Sequence, residues 1–202
     1  MNAFYNKQGI GDVLLVQLQT DTPEKIQTED NGDITLIKDG SDTITGFNLF
    51  NASQYISVPE TGSIDVSEKL VTELQNALEK NSVDLLLEVD LSPKFVVGYV
   101  EAMEKHPNAD KLNVCQVAVG TEHLQIVCGA SNVEAGQKVV VAKVGAVMPS
   151  GLLIKDAELR GVASSGMICS AKELALPDAP EEKGILVLKD DTEIGSPFEV
   201  KA

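Results

Sequence analysis

FVVGYVEAMEKHPNADKLNVCQVAVG, residues 95–120, runs on through HLQIVCGASNVEAGQKVVVAKVGAVMPSG at 123–151 to LLIKDAELRGVASSGMICSAKEL at 152–174. Short runs rich in β-branched residues (FVVGYV, LNVCQVAV, LQIVC, KVVVAKV) alternate with compact polar turns at intervals of roughly ten residues, a spacing that suits hairpin-connected strands and leaves no room for crossover helices. Four or five such strands predict a small closed or nearly closed β-barrel, not an open α/β sheet.

Outside this stretch the chain divides by charge. Of its 202 residues, 43% are hydrophobic, an ordinary share for a folded protein, and the net charge is −15. Residues 1–90 hold 5 Lys against 16 acids, residues 91–202 hold 11 basic against 15 acidic groups, and residues 94–174 are balanced at 8 against 8. The acid surplus therefore sits in the first ninety residues and in the tail. It leaves a neutral segment whose cations can share a face, and over a screening length of about 8 Å that local face matters more to a ligand than the total.

Residues 1–90 read as a separate α+β unit. Val13 to Leu18 form an apolar strand, ITLIK from Ile34 and TITGFNLF at 43–50 form two more, and Asn31-Gly32 and Asp39-Gly40 mark turns in a simple antiparallel meander. Leu70, Val71, Leu74, Ala77 and Leu78 fall on one helical stripe, with Asp65 and Glu68 spaced as a capping box and Lys80 in the last turn. Asp30, Asp33, Asp39 and Asp42 lack the D-x-[DN]-x-[DN]-G spacing of a calcium loop and read as a solvated face. VDLSPK at 89–94 reads as a linker, so the domains are expected at 1–90 and 91–202. After the barrel, the acidic LPDAPEEKG should be an exposed loop, and GILVL at 184–188 should be a strand packed back on the barrel.

Several classes of chemistry find no support. Cys115, Cys128 and Cys169 form no CxxC pair, His106 and His123 do not complete a metal site, and an odd cysteine count argues against a disulfide framework. Buried free thiols are the expectation, with no metal and no cofactor. No run of about 18 apolar residues and no signal-peptide pattern at MNAFYNKQGIGD predict a cytoplasmic protein without a membrane partner.

Three polar islands remain. EKHPNADKL at 104–112 is a turn set by Pro107, Asn108 and Asp110, and it presents Lys105, His106, Asn108 and Lys111 as a donor cluster suited to phosphate and ribose, or simply as a surface loop. CGASNV at 128–133 offers Gly129, Ser131 and Asn132. LRGVASSGMICSAKEL at 159–174 gathers Arg160, Ser164, Ser165, Ser170 and Lys172 around Gly161 and Gly166, without the GK[ST] of a phosphate loop or the G-x-S-x-G of a nucleophile elbow.

In order and spacing, KHPNADKL, QIVCGASNV, GQKVVVAKVGAVMPSG, LRGVASSGMICSAKELAL and KGILVL resemble the blocks of a tRNA-binding OB-fold module. That module occurs in the N-terminal region of the bacterial phenylalanyl-tRNA synthetase β subunit, at the C-terminus of some methionyl-tRNA synthetases and in stand-alone tRNA-binding proteins; its coupling here to an acidic domain resembles the YtpR-type members. The resemblance implies a five-stranded OB-fold barrel with a short helix, gripping folded tRNA by shape and backbone without catalysis. It carries the RNA-binding role onto Lys105, His106, Asn108, Lys111, Asn132, Arg160, Ser165, Met167, Ser170 and Lys172. Partners would be tRNA, with a synthetase or other protein on the N-terminal domain, and a homodimer stays open. OB domains commonly stack bases on aromatic rings, but only Phe95, Tyr99 and Phe198 follow residue 90. Hydrogen bonds and lysine contacts are therefore expected to dominate, with Met167 lying against a base or filling the barrel.

Two other readings compete with RNA binding. One is a docking module with little RNA affinity, which the acid surplus favours. The other is an enzyme using His106 with Asp110, or Cys128 as a nucleophile, although no third residue is placed to orient either.

Overall fold

The computed structural model describes residues 1–21, 23–57, 61–181 and 183–200. It divides into two compact units, Met1–Ser92 and Pro93–Ala202, and both are β-rich. Among the described residues no helix is long and apolar enough to cross a membrane.

In the first unit, β1 (Asn2–Tyr5), a one-turn α1 (Lys7–Ile10), β2 (Val13–Gln17), β3 (Gln27–Asn31), β4 (Ile34–Lys38), β5 (Ile44–Phe50) and β6 (Gly62–Ile64) precede α2 (Glu68–Lys80). The six strands form one sheet in the order β3-β4-β5-β2-β1-β6. The simple meander is thus only partly right: β2 lies beside β5, with Val16 opposite Phe47, and not beside its next neighbour in the sequence. β1, β3 and β6 escape a reading based on apolar runs; β3 is QTEDN and mostly exposed. With one three-turn helix on a six-stranded sheet, the unit is better called β-rich than α+β. Leu14, Val16, Ile34, Leu36, Phe47 and Leu49 bury one sheet face in a core shared with Leu70, Leu74 and Leu78 of α2. The helix starts one cap later than its sequence suggests. The cap is Ser67, not Asp65: Ser67 has extended backbone, and its hydroxyl accepts from the Leu70 N–H at 3.3 Å.

Acidic side chains pin the loops of this unit. Asp12 accepts from the Ser53 hydroxyl (2.6 Å), the Tyr5 phenol (2.9 Å) and the Ser53 backbone N–H, and the Ser53 hydroxyl is the main reason its carboxyl lies below the usual range. Glu29, bonded chiefly by Lys38, and Asp39, bonded chiefly by Ser41, are lowered too. A carboxyl whose folded pKa is depressed adds stability above its unfolded pKa, and that stability is lost as pH falls through the folded value. The melting temperature of this unit should therefore fall as pH drops below about 4, and Asp12→Asn should flatten part of that slope in a pH series of thermal melts.

The second unit is built on β7 (Phe95–Lys105), β8 (Asn113–Ala118), β9 (His123–Cys128), β10 (Lys138–Ala142), β11 (Asp156–Leu159), β12 (Val162–Ser165), β13 (Met167–Ile168) and β14 (Val187–Leu188). β7 is 11 residues long and serves two partners. Its first half pairs with β10 and its second half with β8, and the register shifts by one residue between Val100 and Ala102. Such a bulge bends and twists the strand. Gly98 lies just before that bulge, where a Cβ would stand only 2.6 Å from Val141 Cγ2 and 2.8 Å from Val117 Cγ1. Its missing side chain is what lets β8 and β10 close in. The sheet order is β13-β10-β7-β8-β9, with β14 also on β10 and a separate hairpin of β11 and β12. The hairpin leads straight into β13 and lies along β9, where the Val127 N–H donates to Ser164 Oγ (3.0 Å) and Gln125 Nε2 to the Ala163 carbonyl (2.8 Å). The two ends of the sheet are thereby brought together.

Both faces of β10 are buried, which explains its uninterrupted KVVVA. Val139 and Val141 join the interior cluster with Val100, Val117 and Ile126. Val140 and Ala142 face a second cluster of Ala146, Met148, Ile154, Cys169 and Leu174, against which Leu186, Leu188 and Phe198 pack. The tail returns as expected, though its strand is only Val187–Leu188. It then runs along β7, with Phe198 N–H bonded to the Phe95 carbonyl at 2.9 Å. The expected short helix is a single turn: Leu174 N–H reaches the Ser170 carbonyl at 3.2 Å, and Ala175 at φ 50° ends it.

Candidate nucleic-acid interface

His106 is the surprise of the first island. It is 5% exposed, which leaves its ring little surface to offer a ligand. Its Nδ1 accepts from the Asn108 backbone N–H (3.0 Å), so the neutral ring carries its proton on Nε2, which donates to the Leu159 carbonyl (2.9 Å). Asn108 Nδ2 adds a bond to the Arg160 carbonyl at 3.1 Å. Two residues assigned to RNA contact by the resemblance thus tie the 106–112 loop to the β11–β12 turn. No free ring nitrogen is left for acid-base chemistry with Asp110.

That turn has two residues, Arg160 and Gly161, between the paired Leu159 and Val162. Both have positive φ, 49° and 87°, the geometry that suits the twist of a tight hairpin. Glycine adopts it readily, whereas arginine does so against its backbone preference. The strained residue is also an exposed cation, on a turn fastened to the loop that carries the exposed Lys111. Neither makes an ion pair among the described residues, in contrast to Lys143, which holds Glu122 at 2.7 Å. Lys105 is partly engaged, donating to Asn113 Oδ1 at 3.0 Å.

The second island abuts the first, since a Cβ on Gly129 would lie 3.2 Å from Leu112 Cδ2. Asn132 plays a structural part, because its amide exchanges two bonds with the Ile185 backbone, at 2.9 and 3.1 Å, and pins the returning tail. In the third island Ser165 Oγ donates to Asp156 at 2.5 Å across the hairpin. Ser170 N–H and Oγ both bond Glu173 Oε2, at 2.8 and 2.7 Å. Met167 is half-buried, packing on the outer cluster while lining a cleft of about 560 Å³ together with Ser170 and Lys172. The structure therefore joins Lys105, His106, Asn108, Lys111 and Arg160 at one loop cluster, and Met167, Ser170 and Lys172 at the cleft. Sequence reasoning missed Lys183 and Ile185 of the cleft, because the tail gave no sign of where it returns.

All three thiols are buried, and removal from water pushes Cys115 up to about 11, Cys169 up to about 12 and Cys128 in the same direction. A nucleophile needs the thiolate, which is scarce here at neutral pH. The folded protein should react slowly with a disulfide reagent at pH 7.5, all three thiols appearing on denaturation; rapid labelling of one thiol in the native state would contradict this burial. Among the described residues no group of three His, Cys, Asp or Glu could hold a metal ion.

Fold and site together define a two-unit, mostly β protein whose second unit is a bent antiparallel sheet with polar loops that carry cations without ion pairs among the described residues. Residues 95–197 match the family described as "Putative tRNA binding domain", and the chain belongs to that family. Residues 21–90 match a domain of unknown function, DUF4479. The chain is 64% identical over 200 residues, 98% of its length and 100% of the relative's, to "Putative tRNA-binding protein YtpR" of Bacillus subtilis (strain 168). It is 53% identical over 135 residues to the phenylalanine--tRNA ligase beta subunit of Oleidesulfovibrio alaskensis, covering 67% of this chain and 16% of that one. A solved structure, the C-terminal domain of Plasmodium vivax p43, is 28% identical over 50% of this chain and 56% of its own, with a TM-score of 0.37.

Proposed function

We infer that the second unit is an OB-fold barrel that binds folded tRNA by shape and backbone contacts and catalyses no reaction. The observation that carries this reading is the loop cluster, where His106 and Asn108 fasten the loop of Lys111 to the turn of Arg160, two exposed cations without ion-pair partners among the described residues. Family membership supports it, as does the way the β11–β12 hairpin draws β9 toward β13. Positioned cations fix register on a phosphate backbone without reading bases. Since residues 94–174 carry as many acids as bases, contacts are few and binding is micromolar at physiological salt, strengthening as salt falls. A mobility-shift titration of tRNA at low salt tests the reading.

A second reading, a docking module without RNA affinity, is favoured by the 16 acids against 5 Lys in residues 1–90. Absence of any tRNA shift at low salt would select it. On the first reading the protein works in the cytoplasm, and the acidic unit is the surface for a protein partner such as an aminoacyl-tRNA synthetase. Light scattering on the protein alone reads whether it is a dimer.

A further inference from the structure

The 560 Å³ cleft of the second unit lies within the range of about 300–1,000 Å³ typical of ligand clefts, and its chemistry differs from that of the loop cluster. Ala130, Met167 and Ile185 contribute apolar lining, and Lys172, Lys183, Glu173 and Glu181 contribute charged lining. Two cations and two carboxylates make the rim neutral, so a phosphate entering here meets as much repulsion as attraction. A neutral, flat group does not. Glu173 spends Oε2 on Ser170, and its Oε1 has no donor among the described residues. A carboxylate acceptor and a lysine donor in one cleft suit the exocyclic amine and the adjacent acceptor nitrogen of adenine or cytosine, whereas the N1–H of guanine would face the ammonium donor unpaired.

The geometry points to this cleft as the seat of one unstacked adenine or cytosine of the bound RNA. The assignment rests on the tRNA-binding reading and deepens it. Lys111 and Arg160 hold the backbone; the cleft takes a base that the tRNA fold leaves unpaired, against a methionine in place of the aromatic ring that OB domains commonly use. Binding then distinguishes RNA that offers an unpaired adenine or cytosine from a fully paired duplex.

Dimethyl sulfate probing of tRNA at low salt, with the protein saturating by mobility shift, reads the Watson–Crick edge of these two bases directly. One unpaired adenine or cytosine should be protected by the parent protein, and Ala130→Leu, which fills the cleft, should abolish that protection and weaken tRNA binding about tenfold. A fully paired RNA of equal length should bind both proteins alike. A mobility shift with every unpaired adenine and cytosine still reactive overturns the cleft and leaves the tRNA-binding reading standing; no shift at all overturns both. Protection and affinity unchanged in Ala130→Leu place the protected base elsewhere and overturn the cleft. If Ala130→Leu loses its folded circular dichroism spectrum, Ala130→Val takes its place, and the parent protein's protection pattern decides in either case.

Discussion

Lys111→Ala combined with Arg160→Ala is expected to weaken tRNA binding about tenfold at low salt and to lower the slope of log affinity against log salt by about one to two units. The physical basis is counterion release, in which each phosphate neutralised by a cation contributes a little under one unit to that slope. Both residues are exposed and have no ion-pair partner among the described residues, so their charge is available to a ligand and their removal hardly touches the fold. Arg160 allows a sharper separation. Because it sits at φ 49°, Arg160→Gly removes the cation while easing the backbone of the turn. It should lose affinity yet melt no lower than the parent protein. The control is Lys25→Ala with Lys69→Ala in the first unit, where the exposed contact of Lys69 with Glu73 at 3.7 Å is worth little to stability. Lys38 is a poor control, since it holds Glu29 at 2.8 Å and Asp42 at 3.1 Å, and its loss would disturb that unit. Equal loss of affinity from both pairs would mean diffuse attraction and no localised interface.

Phe47→Ala should destabilise the first unit by about 3–5 kcal/mol, the usual cost of emptying a fully buried phenylalanine site. Phe47 is 0% exposed at the centre of the β4, β5 and α2 core. Against a typical domain stability of about 5–15 kcal/mol, that loss is large enough to lower the melting of this unit well below the parent value. If the two units fold independently, each around its own core, a second thermal transition, from residues 93–202, stays at an unchanged temperature, together with unchanged tRNA affinity. A single merged transition shifted downward would show that the units unfold as one.

The two predictions draw on different kinds of legibility. Strand periodicity in FVVGYV, LNVCQVAV, LQIVC and KVVVA, the stripe from Leu70 to Leu78 and the punctuation at VDLSPK are local patterns, and the strands, the helix and the charge shift could be read from them directly. The blocks from KHPNADKL to KGILVL likewise pointed to the family that residues 95–197 match. What local pattern could not supply was pairing across long separations. An exposed, polar β3 carries no apolar signal, and it is a strand because β4 offers it a ladder. Ser67 outcompetes Asp65 as helix cap through backbone geometry that only the folded chain adopts.

The same division holds for the site. By itself the sequence determined which chemical groups were present: a neutral charge balance over residues 94–174, few aromatics, three thiols without metal-ligand spacing, and polar islands rich in Lys, Asn and Ser. Only the tertiary structure decided what each group does, because a hydrogen bond between residues 53 apart in the chain is invisible to spacing. His106 looked like a donor to phosphate and is a buried clamp, 53 residues from its partner Leu159. Asn132 looked like a ligand contact, and its amide pins Ile185, again 53 residues away. The loop that carries Lys111 and the turn that carries Arg160 are tied through His106 and Asn108, and the cleft arose where a returning tail met the end of β9. Residue type limits what a site can bind, but the closing of long loops, which long-range contacts must offset in entropy, selects which residues meet.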